Sequence, residues 1–244
     1  MIDLRCCDNL ELMAEIKDNT IDLIYCDILY GTGRKFKDYQ DLKPKREIIK
    51  EHYIPRIKEM HRILKDTGSI YLQMDTRINH WLRIIMDDIF GYDNFLNEIS
   101  WCYGAGNSSK KSFSKKHDVI LFYSKTNKYI FDFESIKKNN IRIKDYWHIQ
   151  SIADKSGYLQ IDNEYRLYET QKPKALLERI IKASSNKGDL VADFYAGSFT
   201  TAEVCKDLNR HFIGCDISQK AYEIGLKRLK EKRKEQPTLF NKLN

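Results

Sequence analysis

No apolar run in this chain of 244 residues approaches the roughly 20 needed to cross a bilayer as a helix. The start, Met1-Ile2-Asp3-Leu4-Arg5, also lacks the basic and apolar regions of a secretory leader. Both absences argue against a membrane or exported protein and predict a cytoplasmic one. The six cysteines include no Cys-x-x-Cys pair, and no histidine stands at zinc-ligand spacing from them. A structural metal and a disulfide framework are thereby excluded as organising features, and the cysteines are expected to be reduced core residues. No internal repeat is present. Acidic residues are in deficit, 35 against 42 Lys+Arg, for a net charge of +7. That excess suits a polyanionic partner, although a lysine-rich proteome produces the same balance.

What the chain does have is alternation. Short apolar segments at Ile21–Cys26, Ser69–Met74, Val119–Ser124, Leu190–Asp193 and His211–Cys215 read as strands. Between them apolar residues recur with helical period. Ile49, Tyr53, Ile57, Met60 and Leu64 form one stripe, and Ile78, Leu82, Ile85 and Ile89 a second. Leu176, Leu177, Ile180 and Ile181 form a third, and Val204, Cys205 and Leu208 a fourth. A basic helix with Tyr222, Leu226 and Leu229 on its buried side is expected from Ser218 to about Glu235. The pattern predicts one α/β domain, a mostly parallel sheet with helices on both faces. Two stretches interrupt it. Residues 104–116 form a basic Gly/Ser/Lys loop, and residues 127–170, polar and aromatic, read as an insertion at the ligand edge of the sheet.

Two motifs carry chemistry. Asp27-Ile28-Leu29-Tyr30 follows the first long strand directly. A carboxylate and an aromatic ring at the C-terminal end of a parallel strand suit a flat ligand with a polar edge. The second motif is the strand Asp189–Asp193, the turn Phe194-Tyr195-Ala196-Gly197-Ser198-Phe199 and a helix opening at Thr200. About twenty residues on, Asp216 ends another strand, where a carboxylate can grip two ribose hydroxyls. An ordinary strand followed by a Ser/Thr-capped helix would look similar.

Taken in order, these segments resemble the β-class DNA amino-methyltransferases, in which the catalytic motif precedes the cofactor motif. Asp27-Ile28-Leu29-Tyr30 matches the family's Asp-Pro-Pro-Tyr, and Thr170-Gln171-Lys172-Pro173 its Thr-Gln-Lys-Pro. The segment from Asp193 to Thr201 matches Asp-Pro-Phe-x-Gly-Ser-Gly-Thr-Thr, and Lys116–Leu121 resembles a family strand. The resemblance implies a circularly permuted, Rossmann-like sheet of seven strands, one of them antiparallel. It implies S-adenosylmethionine as methyl donor and an exocyclic amino group of double-stranded DNA as acceptor, with adenine N6 favoured over cytosine N4. The target base would be flipped out of the duplex, since its amino group is paired inside the stack.

The roles implied are specific. Asp27 and the Ile28 carbonyl would accept the two amino hydrogens, turning the nitrogen lone pair out of conjugation. Leu29 completes the motif, and Tyr30 would stack on the base. Asp8 would bind the cofactor adenine and Asp216 its ribose. Asp193 and the turn through Tyr195, Gly197, Ser198 and Thr200 would line the methionine end, with Lys172 and Pro173 forming the adjacent wall. Lys110, Lys111, Lys115 and Lys116 would meet phosphates, and residues 139–170 would read bases. A homodimer is left open. The tail Gln236-Pro237-Thr238-Leu239-Phe240 resembles a peptide that docks on the bacterial sliding clamp, though a frayed end reads the same way.

Three departures fall inside these motifs. Ile28 and Leu29 stand where the family has prolines, which removes the stiffness of the strand-end carbonyl. Phe194 stands where it has another proline, and Phe199 where it has a second turn glycine. If that position requires positive φ, a bulky side chain there costs about 1–2 kcal/mol or fills the pocket. The alternatives are thus a working DNA methyltransferase and an impaired homologue acting as a DNA-binding or partner subunit. A methyltransferase acting on RNA or protein fits the chain-wide match less well.

Overall fold

Period-two alternation in β2 (Ile21–Asp27) sends Ile24 and Cys26 into one apolar layer and Leu23 and Tyr25 into another, all four buried. A strand buried on both faces needs helices on both sides, and the remaining elements supply them. A computed structural model describes residues 1–36, 39–103, 110–137, 144–152 and 171–235, the last five as backbone only. In chain order the other elements are β1 (Ile2–Cys6), α1 (Asn9–Glu15), α2 (Arg46–Ile63), β3 (Leu64–Met74), α3 (Asn79–Phe90), β4 (Phe95–Cys102) and β5 (His117–Ser124). They continue with α4 (Phe133–Ile136), β6 (Tyr146–His148), α5 (Lys174–Ser184), β7 (Leu190–Asp193), α6 (Thr200–Asp207), β8 (His211–Asp216) and α7 (Gln219–Glu235).

The strands form one sheet in the order β1-β8-β7-β2-β3-β5-β4-β6. Every neighbouring pair is parallel except the two made by β5. The expected α/β sheet with a single antiparallel strand is therefore present, but with eight described strands rather than seven. The additional strand is β6, three residues inside the stretch read as an insertion, pairing Tyr146–His148 with Ser100–Cys102. Helices α1, α2 and α3 bury their apolar stripes on one face, through Leu12, Tyr53, Ile57 and Leu82. Helices α5 and α6 cover the other, through Leu176, Ile180 and Val204.

The topology fixes where chemistry can occur. β1, β8, β7, β2 and β3 all end at one edge of the sheet. Because β5 runs the opposite way, its first residues, His117 and Asp118, reach that same edge, opposite Cys102 and Trp101. Asp8, Asp27, Asp118, Asp193 and Asp216 thus gather along one side of the molecule from five separate strand ends.

Phe199 sits where the sequence raises a conflict, and the fold resolves it. The residue does adopt the left-handed region, at φ 57° and ψ 35°. Its ring does not enter the cleft. It is fully buried against Phe212 and Tyr222, in the layer beneath α6. The space exists because position 225 of α7 is glycine: a Cβ there would lie 2.5 Å from the Phe199 ring. Burial of the ring outweighs the backbone cost of about 1–2 kcal/mol. Phe199→Gly should therefore destabilise the protein by about 2–4 kcal/mol, cavity cost less relieved strain, without strengthening cofactor binding. Thermal melts and calorimetric titration with S-adenosylmethionine check the two halves of that expectation.

All six cysteines are free thiols. Cys26, Cys205 and Cys215 are buried as expected, whereas Cys6 is exposed and Cys7 and Cys102 lie in between, so only half of them belong to the core. Among the described residues no group of acidic, histidine or cysteine side chains is arranged to hold a metal ion, and no helix is long and apolar enough to cross a membrane.

Candidate active site

One cleft opens along the edge where the strands end. Of the residues singled out in the sequence, Asp8, Asp27, Leu29, Tyr30, Lys172, Asp193, Tyr195, Gly197, Ser198, Thr200 and Asp216 line it. Ile28 does not, its side chain being buried in the layer under α2, so any part it takes is through its backbone. Pro173 does not either; it precedes α5, where its fixed φ of −68° starts the helix. Lys110, Lys111, Lys115 and Lys116 lie outside the cleft on the approach to β5. Thr170, the tail at 236–240 and most of 139–170 fall outside the described residues.

Asp27 is the last residue of β2, and the next three positions are held by bonds that a proline pair would make differently. The Ile28 N–H donates to the Gln73 carbonyl at 3.1 Å, extending the β2–β3 pairing by one step that proline could not make. The Leu29 carbonyl accepts the Tyr53 hydroxyl at 2.9 Å. The stiffness expected to be lost with the prolines is thus replaced by two hydrogen bonds, one from backbone and one from α2.

Around Asp27 the polar groups are tightly connected. Lys172 Nζ donates to Asp27 Oδ2 at 2.5 Å and lies 5.2 Å from the centre of the Tyr30 ring. Lys172, expected to wall the cofactor site, thus also reaches the strand end at Asp27. The Tyr30 hydroxyl stands 2.9 Å from Asp27 Oδ1 and 2.6 Å from Asp118 Oδ2. Asp118 also accepts from Tyr103 at 2.9 Å and from Gln73 Nε2 at 3.0 Å, while Tyr25 donates to Gln73 Oε1 at 2.8 Å. Burial pushes the Asp27 carboxyl above its usual range, with Lys172 pulling it back. Burial raises the Tyr30 phenol strongly, and the two neighbouring carboxylates add to that. Tyr30 accordingly remains a protonated donor throughout the working pH range.

The other half of the cleft is the turn after β7. Asp193 accepts the Thr201 hydroxyl at 2.6 Å and the Tyr195 N–H at 3.1 Å, tying the strand end to the first turn of α6. Burial raises its pKa to about 7, against those two bonds. Asp216 accepts the Gly197 N–H and the Ser218 N–H, each at 2.9 Å. Gly197 has a positive φ of 50°, which glycine adopts without strain. Asp8 caps α1 by accepting the Leu10 N–H at 2.8 Å and pairs with Arg56 at 3.0 Å. No local residue pattern marks this double structural role of Asp8.

Helix α2 contributes residues that no motif marks. His52 Nε2 lies 3.1 Å from the Tyr195 hydroxyl, and burial together with Arg56 lowers its pKa to about 4, so the imidazole is neutral. Asn9 Oδ1 and Arg56 Nε are buried at the cleft without a hydrogen-bond partner among the described residues. An acceptor and a donor left unpaired beside Asp8 suit the edge of a purine, so the residues present fit a nucleoside cofactor. Thr32, Phe36, Tyr39, Gln40 and Asp41 line one side. Asp41, buried, accepts from the Gly31 and Thr32 N–H groups at 3.1 and 2.7 Å, and Phe36 stacks on Tyr39 at 4.7 Å.

A cleft with an Asp-Tyr strand end on one side and a nucleoside turn on the other defines a class of enzyme. Residues 21–227 match the N6_N4_Mtase family of DNA methylases, and the chain belongs to that family. Over 236 residues it is 32% identical to the type II methyltransferase M.HpaI of Haemophilus parainfluenzae, covering 93% of this chain and 73% of the relative. Over 240 residues it is 31% identical to the DNA adenine methyltransferase YhdJ of Escherichia coli (strain K12), covering 91% and 80% respectively. The fold is shared with the cytosine-N4-specific PvuII DNA methyltransferase, at TM-score 0.75 and 18% identity over 93% of this chain and 86% of that one. It is shared as well with M1.HpyAVI in its SAM complex, at TM-score 0.65 and 20% identity over 93% of this chain and all (100%) of that one.

Proposed function

We propose that this protein methylates the N6 amino group of adenine at specific sites in DNA, using S-adenosylmethionine. The observation that carries the reading is the single cleft in which Asp27 and Tyr30 face the Gly197 turn, Asp193 and Asp216. The preference for adenine over cytosine is supported by the relative named as an adenine methyltransferase, which spans most of both chains.

S-adenosylmethionine supplies the methyl group as an electrophilic sulfonium substituent. Asp216, Asp193 and the backbone of the turn from Tyr195 to Thr200 would hold its ribose and methionine parts, and Asp8 with Asn9 its adenine. The chain's own groups then act on the acceptor. Asp27 Oδ1 accepts one amino hydrogen and the Ile28 carbonyl the other. Two acceptors off the ring plane make the nitrogen pyramidal and aim its lone pair across the cleft. Tyr30 covers the face of the base, which must be rotated out of the duplex to enter. Lys172 balances the charge of Asp27 from the opposite oxygen, so the carboxylate stays an acceptor although buried. Lys110, Lys111, Lys115 and Lys116 contact phosphates as the loop before β5 meets the duplex. The intact polar set around Asp27, with the Phe199 ring outside the cleft, favours a working enzyme over an impaired homologue.

Methylation-sensitive sequencing of DNA from cells expressing the chain tests this reading. Methyladenine at one short recurring sequence is the expected result. Methylcytosine instead would overturn the choice of base, and unmodified DNA the activity.

A further inference from the structure

We propose that Asp118 is a positioning residue for Asp27: by holding the hydrogen of the Tyr30 hydroxyl, it keeps Asp27 Oδ1 open to the amino group of the target base. The inference rests on the reading above and assigns a role within that site.

A phenol has one hydrogen to donate, and Tyr30 stands between two carboxylates. The contact with Asp118 Oδ2 is the shorter, 2.6 Å against 2.9 Å to Asp27 Oδ1. Gln73 reinforces the choice. Its Nε2 donates to Asp118 Oδ2 at 3.0 Å and approaches the Tyr30 oxygen at 3.3 Å, and its amide is oriented by the Tyr25 hydroxyl at Oε1. Tyr103 anchors the second Asp118 oxygen at 2.9 Å. Asp118 is 4% exposed, so these donors and not water set its direction. On the far side, Lys172 engages Asp27 Oδ2 at 2.5 Å. Oδ1 is then the oxygen left for substrate, and Tyr30 is the only described side chain whose hydrogen bond competes for it.

Without the Asp118 carboxylate the balance reverses. A neutral amide accepts more weakly than a carboxylate. The Tyr30 hydrogen would turn to Asp27 Oδ1, and the acceptor that polarises the amine would be occupied. The defect would be created by the Tyr30 hydroxyl itself, so removing that hydroxyl should relieve it, a result that damage to packing does not produce.

The test is single-turnover transfer of a labelled methyl group from S-adenosylmethionine to DNA, with cofactor affinity measured by calorimetry. Asp118→Asn should slow transfer about tenfold or more while leaving cofactor affinity within about twofold. Asp118→Asn combined with Tyr30→Phe should return the rate to within about threefold of Tyr30→Phe alone. Asp118→Glu, which keeps a carboxylate on the same strand position, should recover most of the rate and supplies an arm independent of how well the amide variant folds. A double variant as slow as Asp118→Asn, a rate unchanged in Asp118→Asn, or no recovery in Asp118→Glu would each overturn the role of Asp118. Those failures leave the methyltransferase reading intact so long as the wild-type protein transfers methyl and Asp27→Ala does not. A wild-type protein that transfers none would remove both.

Discussion

Asp27→Ala should reduce methyl transfer to DNA by about a hundred- to ten-thousandfold while leaving S-adenosylmethionine binding nearly unchanged. In the proposed mechanism the carboxylate supplies one of the two acceptors that hold the amine in its reactive shape, and no other described residue lining the cleft is placed to replace it. Tyr30 and Lys172 both donate to this carboxylate, so the variant leaves them facing each other across an emptied site. The groups proposed to hold the cofactor, Asp8 with Asn9 and the stretch from Asp193 to Asp216, are held by hydrogen bonds that do not involve Asp27. Incorporation of labelled methyl, set beside calorimetric titration with the cofactor, separates the two effects. Residual transfer above about a tenth of wild type would remove Asp27 from the chemistry.

Arg228→Leu should cost about 3–5 kcal/mol of stability, which for a domain of this size lowers the melting temperature by roughly 6–20 °C. Arg228 lies on α7 and is 6% exposed. Its guanidinium donates to Glu203 Oε2 at 2.8 Å, to Gln171 Oε1 at 2.9 Å and to the Ser198 carbonyl at 3.1 Å. Three elements therefore converge on one side chain: the turn after β7, the segment carrying Lys172, and α6. Removing it leaves Glu203 buried, with Lys174 at 2.6 Å as an ion-pair partner among the described residues. The pair with Arg228 and Lys174 holds the Glu203 carboxyl below its usual range against the opposing effect of burial. That contribution is present at neutral pH and is lost as pH falls through the depressed value, so the wild-type advantage over Arg228→Leu should shrink in acid. Arg228→Lys should recover only part of the loss, because an ammonium cannot serve three acceptors in the plane that the guanidinium does. Differential scanning calorimetry across pH checks both statements.

The sequence made the continuous apolar strands legible and missed the patchy ones. β2, β5, β7, the Ser69–Met74 part of β3 and the middle of β8 are largely buried and read as apolar runs, whereas the polar start of β3, Lys65 to Thr67, gives no such signal. β4 alternates Asn97 and Glu98 with Ile99 and Trp101 toward the edge of the sheet, so no run appears. β6 is three residues long, and α1 is too short for a helical period to emerge. Of the site, the two motif carboxylates could be found because each ends an apolar run. Asp118 stands inside a recognisable segment, yet its part in the cleft depends on β5 running backwards, and strand direction leaves no mark on residue type. The contact of Lys172 with Asp27 spans 145 positions of chain, beyond any local pattern.

The interlock of Phe199 with Gly225 restricts the order in which this protein can change. A larger residue at 225 is blocked while the ring is present, and a smaller residue at 199 opens a void while 225 stays bare. Either single step passes through a weakened protein, so the two sites must drift as a pair. A chain that carries the aromatic turn is held there by its own helix, even though a glycine at 199 would suit the backbone better.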